Sequence, residues 1–297
     1  MSADPTIAEI CIAACSDTYR ESGEILAHAV GTIPTIGARL AKLTHAPDLV
    51  LSDGEAFMMS EAPPLGKTAA GGGIIEGWAP FRRIFDIVAS GRRQSMMGAS
   101  QIDRYGNQNI SLIGDWNKPK RQLIGVRGAP GNTANHRVDY WVSRHSARLF
   151  VEAVDMVSGV GNDRARAAGT SMRFHHLGVI VTNLAVLGYD DGGRVTVLSV
   201  HPGVDPQEVI TNTGFALDVE GAPLTRFPTD EELHLIREVL DPRGAGPGKS
   251  RTRPAPERIS PAGGLSGSAR GNGGRRSQRS AGRPGGTSAP WTRRRHE

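Results

Sequence analysis

The chain is short of several things, and each shortage excludes a class. Only two cysteines occur in 297 residues. Cys11 and Cys15 lie four apart on what reads as one helix, where stacked side chains are poorly placed for a disulfide. They read as two small core residues of a reduced, cytoplasmic protein, without metal or redox use. No apolar stretch approaches the ~20 residues of a membrane span. The longest, Leu177 to Leu187, is interrupted by Thr182 and Asn183. The start, Met1-Ser2-Ala3-Asp4-Pro5, has neither a cationic region nor an apolar run, so no secretory signal is expected. No internal repeat of useful period is found.

The end of the chain lacks large apolar residues. Residues 244–297 contain only Ile259, Leu265 and Trp291 of that kind, against 12 Gly and 6 Pro. The same segment carries twelve basic residues and two acidic ones, a net of +10, which leaves −5 of the whole-chain +5 for residues 1–243. A segment of this composition cannot bury enough to offset its ordering entropy. A disordered Gly/Arg/Pro/Ser-rich tail is therefore expected over 244–297, behind one domain at 1–243 large enough for a substantial core.

Within that domain, Asp4 and Pro5 are expected to open a helix carrying Ile7, Cys11, Ala14, Cys15 and Thr18, stopped by Gly23. A second helix is predicted at Ile36 to Leu43, and a third near Pro80 to Ser90 with Phe81, Ile84, Phe85 and Val88 as its apolar stripe. Asp48 to Leu51 reads as a short buried strand. Further strands are predicted at Gln94 to Met97, Gln108 to Ile113, Gln122 to Val126, Leu149 to Val154, Val179 to Leu187 and Val195 to Val200. Asp205-Pro206 opens a late helix, and Thr229 with Glu232 forms a capping box before Leu233, Ile236 and Leu240. Alternating helices and short apolar strands indicate an α/β domain with a buried open sheet. Ligands gather at the carboxyl ends of strands in such sheets, which points to the turn at Ser52 and the loop at Gly125.

The loop Gly125-Val126-Arg127-Gly128-Ala129-Pro130-Gly131-Asn132 follows a predicted strand and precedes a helix expected through Thr133 to Trp141. Its glycines allow backbone N–H groups to approach an oxyanion closely, but the spacing equally describes an ordinary Gly/Pro-rich turn. For Arg127, contact with a carboxylate or phosphate of a ligand stands beside a plain surface ion pair. The run Asp103-Arg104-Tyr105-Gly106-Asn107-Gln108-Asn109 supplies Asn107 and Asn109 as site support, or else a hydrogen-bonded hairpin. Asp103 and Arg104 are expected to pair structurally. His175-His176 opens a strand whose adjacent residues face opposite sides, so a metal site there is not expected.

Taken in order, Ala46-Pro47-Asp48-Leu49-Val50-Leu51-Ser52-Asp53-Gly54, then Gly98-Ala99-Ser100-Gln101-Ile102-Asp103-Arg104-Tyr105-Gly106-Asn107-Gln108-Asn109, then Ile113-Gly114-Asp115, Lys118-Pro119-Lys120 and Gly125-Val126-Arg127-Gly128-Ala129 resemble beta subunits of class I coenzyme A transferases. The resemblance covers about residues 6 to 242. It implies a single open-sheet α/β domain of the coenzyme A transferase type. It also implies a covalent mechanism in which a beta-subunit glutamate takes up CoA as a thioester at the end of the strand Leu49-Val50-Leu51.

Here the matching residue is Ser52, followed by Asp53 and Gly54, and a serine cannot form that thioester. The same replacement marks a branch of the family that serves actinobacterial steroid breakdown. That branch consists of two-subunit hydrolases that open the last ring of a cholesterol-derived acyl-CoA, and this sequence is similar to their beta subunit. The branch implies an α2β2 assembly whose alpha subunit supplies the catalytic glutamate, and a CoA thioester as substrate with no permanently bound cofactor. Gly125, Arg127, Gly128, Ala129 and Asn132 are then the candidates for oxyanion and substrate contacts. Ser52 either touches substrate or water, or is an inert small residue making room. A true CoA transferase using Asp53 or Glu55, and a nucleic-acid-binding module using the basic tail, are the competing readings.

Overall fold

The computed structural model describes residues 4–52, 57–67 and 74–244. Asp53, Gly54 and Glu55, and all but the first residue of the expected tail, lie outside the described residues. Helix α1 (Ile7–Asp17) begins at Thr6, not at Asp4. Thr6 Oγ1 accepts from Glu9 N at 3.3 Å while Glu9 Oε2 accepts from Thr6 N at 2.8 Å, a reciprocal cap that satisfies two donors at once. β1 (Leu26–Ala29) follows, then α2 (Thr32–Leu43), which starts a turn earlier than expected because Pro34 sits in its first turn, where no N–H is required. β2 (Val50–Ser52), β3 (Phe57–Met59) and β4 (Ile75–Trp78) lead to α3 (Arg83–Ser90) and β5 (Arg93–Met97).

Two small ribbons come next, β6 (Gln101–Ile102) with β7 (Gln108–Asn109), and β8 (Leu112–Gly114) with β9 (Pro119–Gln122). The strand expected over Gln108 to Ile113 is thus divided between ribbons, and the one expected at Gln122 to Val126 ends where it was to begin. α4 (Ala129–Asn135) is short, and β10 (Arg137–Val142) occupies residues expected to be helical. Then come α5 (Asn162–Ala168), β11 (His176–Thr182), β12 (Ala185–Tyr189), β13 (Val195–Val200) and α6 (Pro206–Thr211). α7 (Asp230–His234) runs on as a π-helical turn, Leu235–Leu240. Asp205 and Thr229 cap the last two helices as expected. Leu149 to Val154 forms no strand, only a bridge from Phe150 to Ile102.

The main sheet runs β13-β12-β11-β10-β5-β1-β2-β3-β4. Its five central strands are parallel, and an antiparallel pair closes each side. The single expected strand from Val179 to Leu187 is two, because Thr182 Oγ1 takes the amides of Leu184 and Ala185, each at 3.0 Å, and turns the chain back. Met96 and Met97 divide the core by the two-residue strand period: Met96 packs with α1 and α2, Met97 with the opposite cluster around Tyr140, Ile180 and Phe150.

Helices α1 and α2 meet closely because position 37 has no side chain: a Cβ on Gly37 would lie 2.7 Å from Cys15 Cβ. Cys11 and Cys15 are free and buried in this contact. Burial pushes the Cys11 thiol up to about 12 and the Cys15 thiol well above its ordinary value, so both remain protonated and inert. Arg226 ties the late chain to α1, bonding Asp17 at 2.7 and 2.8 Å and Glu232 at 2.7 and 2.8 Å. No helix among the described residues is long and apolar enough to cross a membrane.

Candidate functional site

The carboxyl ends of β1 and β5 open into a cleft of about 800 Å³. Parallel strands deliver their last residues to one edge of the sheet, so His28 and Val30 from the end of β1, and Met97 and Gly98 from the end of β5, form its floor. One wall is the apolar stripe of α3, Ile84, Phe85 and Val88; that helix has no buried residue and turns this face to the cleft. The other wall is the loop that leads into α4. The volume suits a small-molecule ligand.

Of the loop residues expected at a site, Arg127, Gly128, Ala129 and Asn132 line the cleft. Gly125 shapes the loop, with φ +77°, and Arg127 is the one described non-glycine residue with positive φ, at +49°. A backbone held there costs ~1 kcal/mol or more and is kept only when surrounding structure requires it. Among the described residues, the amides of Val126, Arg127 and Gly128 make no backbone hydrogen bond, and Ala129 N returns to Val126 O at 3.1 Å. Three consecutive N–H groups are therefore uncommitted at the cleft edge.

Ser52 ends β2, half-buried, beside a smaller cavity of about 100 Å³ that it shares with His28, Thr35 and Arg39. His28 lines both cavities, so the serine and the large cleft meet at that imidazole. Burial, reinforced by the charges of Arg93 and His136, pushes His28 down to about 4, which makes it a neutral base at pH 7. Arg93, on the same face of β5, donates from Nη1 to Asn132 Oδ1 at 3.1 Å. Asn132 Nδ2 reaches Met97 Sδ at 3.2 Å, which fixes the amide against the end of β5.

Sequence reasoning missed His28, Arg39 and Arg93. β1 is four residues with a histidine in the middle, too short and too polar to register as an apolar run. Arg93 stood just outside the predicted strand. Extending the predicted strand by one residue would have found Arg93, whereas His28 on the unpredicted β1 and Arg39 on α2 carry no such signal.

Asn107 and Asn109 are placed elsewhere. Asn107 bonds Asp103 at 3.0 and 3.2 Å, Asp163 at 2.9 Å and the Gly161 amide at 2.8 Å. Asn109 is similarly occupied by Gln101, Ser111 and Leu112. Gln108 between them reaches the cleft. Asp103 and Arg104 do not pair with each other: Asp103 accepts from Tyr105 and Asn107, and Arg104 pairs with Glu152. Burial raises the Asp103 carboxyl, with its hydrogen bonds working against that. His175 bonds Thr133 O and Asn162 Oδ1, at 2.7 and 3.1 Å. No group of three or more His, Cys, Asp or Glu side chains among the described residues could hold a metal ion.

Known proteins share this sequence pattern and fold. The family profile described as Coenzyme A transferase matches residues 17–212. A cholesterol ring-cleaving hydrolase IpdB subunit from Rhodococcus jostii (strain RHA1) is 52% identical over 242 residues, covering 80% of this chain and 93% of the relative. The crystal structure of Rhodococcus jostii RHA1 IpdAB superposes with TM-score 0.78 at 50% identity, over 82% of this chain and 97% of that one. Glutaconate coenzyme A-transferase from Acidaminococcus fermentans superposes with TM-score 0.70 at 26% identity, over 83% and 98%. With residues 17–212 matched by the family profile and 80% of the chain matched by a 52%-identical relative, the chain belongs to the coenzyme A transferase family.

Proposed function

We propose that this chain is the beta subunit of a hydrolase that opens the last ring of a steroid-derived cyclic β-diketone acyl-CoA by retro-Claisen C–C cleavage. The observation that carries the reading is Ser52 at the end of β2. The family's covalent chemistry needs a carboxylate there, and a serine in its place leaves water as the nucleophile. The 52%-identical relative is named a subunit of a cholesterol ring-cleaving hydrolase, which supports the choice.

In this mechanism a base contributed by the alpha partner removes a proton from water, and the hydroxide adds to a ring ketone. The C–C bond to the neighbouring carbon then breaks, its electron pair being held as an enolate until a proton arrives. Two oxyanions develop, one on the attacked ketone and one on the enolate, and each needs preorganised donors. The uncommitted amides of Val126, Arg127 and Gly128 are proposed for one of them. Ser52 is proposed to contact substrate or water, with Asp53 and Gly54 next to it in the sequence as further candidates, and Ala129 and Asn132 to complete the wall. An α2β2 assembly fits the exposed apolar side chains of the segment that supplies Phe85 to the cleft, Trp78 at 66%, Phe81 at 79% and Phe85 at 63%, a density unusual for a surface without a partner. The free, buried cysteines suit a cytoplasmic location.

The test is to co-express the chain with its alpha partner and supply a cyclic 1,3-diketone acyl-CoA. A ring-opened acid carrying one oxygen from labelled water supports the reading. Transfer of CoA to an added carboxylate, without ring opening, replaces it with a true transferase.

A further inference from the structure

Arg93 is a buried cation without an anion. It is 7% exposed, yet no carboxylate lies within ion-pair distance of it among the described residues. Nη1 is held by the neutral amide of Asn132 at 3.1 Å, while Nε is buried with no hydrogen-bond partner. Burial lowers its pKa to about 10, so the guanidinium is still charged at neutral pH. A buried, half-satisfied charge is costly, and folded proteins keep one where something else completes it. The neighbourhood repeats the pattern: Ser95 Oγ, two residues along the same face of β5, is also buried without a partner, and it pairs across the sheet with His28.

Arg93 lines the 800 Å³ cleft, whose lining is mostly apolar and includes Ile84, Val88, Met97 and Ile124. A mostly apolar space whose buried, anchored guanidinium is Arg93, with Arg127 as the second cation of its lining, does not fit the polyphosphate of CoA at Arg93, which would bring several charges against the apolar walls. It fits an acyl chain that carries one anionic group. We propose that Arg93, oriented by Asn132, is an anion subsite for a free carboxylate on the acyl group of the thioester, and so sets the acyl specificity of the complex. This rests on the acyl-CoA reading above. The guanidinium fork presents two donors in the plane of a carboxylate, which gives the subsite directional preference that a lysine would lack.

The experiment measures binding of glutaryl-CoA and valeryl-CoA to the assembled complex with the alpha partner. The two differ only in a terminal carboxylate against a methyl group. A charge-assisted pair of hydrogen bonds corresponds to about ten-fold or more in affinity, so glutaryl-CoA is expected to bind at least that much tighter. Arg93→Met is expected to bring the ratio near one by weakening glutaryl-CoA alone, and Arg93→Lys to leave an intermediate ratio. Equal binding of the two thioesters by the native complex overturns the subsite, and this arm needs no variant to fold. Equal weakening of both by Arg93→Met also overturns it, since Arg93 would then serve CoA phosphate or a carboxylate of the partner. Failure of the native complex to bind either thioester overturns the acyl-CoA reading itself, and the subsite with it.

Discussion

Acid should unfold this domain through its buried histidines before its carboxylates. His145 is 4% exposed, its ring held between Thr182 Oγ1 at 3.1 Å and Thr213 Oγ1 at 3.0 Å. It also lies against Phe150, with ring centroids 4.2 Å apart. Burial pushes His145 down to about 4, and it does the same to His136, which is equally enclosed. The fold therefore accepts both rings only as neutral groups. An unfolded histidine titrates near 6.5, so below that pH the unfolded chain binds protons that the folded chain refuses. Stability is complete above pH ~6.5 and falls by up to ~1.4 kcal/mol per pH unit for each ring, levelling near pH 4. Each ring thus removes about 3 kcal/mol across the window, a large share of the ~5–15 kcal/mol typical of a domain. At Glu9 and Glu232, burial works upward but is outweighed by hydrogen bonds from Arg237 with Thr6 and from Arg226 with Thr229. Their stabilisation is lost as pH falls from the ordinary carboxylate range downward, later than that of the histidines. Urea midpoints at pH 7, 6 and 5 measure the slope, and His145→Gln, which keeps a neutral hydrogen-bonding group, should reduce it by ~1 kcal/mol per pH unit. An unchanged slope in that variant would refute the reasoning.

Three further outcomes are expected. Ser52→Ala in the assembled complex should lose about ten-fold activity or less, since a neutral hydrogen bond is worth ~0.5–1.5 kcal/mol; loss of several orders of magnitude with binding intact would require a serine nucleophile. Gly37→Val would drive a methyl-bearing Cβ to within 2.7 Å of Cys15 Cβ and 3.1 Å of Ile12 O. Overpacking of that kind costs ~1–3 kcal/mol, visible as a lower unfolding midpoint, and an unshifted midpoint would contradict the contact. Truncation after Arg243 is proposed to leave thermal unfolding and complex activity unchanged, and loss of folded protein would show that the basic segment serves the fold.

What the sequence reveals about this fold divides along a physical line. Local chemistry was legible: the Thr229 and Glu232 capping box, the Asp205 cap, and the strand at Val195 to Val200 depend on neighbours a few residues away. The strand at Gln94 to Met97 was legible too, one residue short of β5, but the central strand β10 was harder, because its polarity is satisfied at a distance. Gln94, 1% exposed, donates to Asp139 Oδ2 at 2.8 Å, and Asp139, fully buried, also takes the Val179 amide at 2.9 Å. Partners separated by some forty residues leave no periodic trace, so Arg137 to Trp141 read as the continuation of a helix. The site shows the same division. The order of motifs located Ser52 and the Gly125 loop, whereas His28 and Arg93 become candidates only when β1 and β5 are placed side by side.

The central claim is that this chain forms no covalent acyl or CoA adduct, and the most direct measurement is a borohydride trap. The assembled complex is incubated with its acyl-CoA substrate, treated with borohydride, and this chain is weighed intact and as peptides by mass spectrometry. The account predicts an unmodified mass throughout Ser52 to Glu55 while ring-opened product accumulates. A carboxylate in that stretch reduced to the alcohol, which marks a trapped thioester, would contradict it.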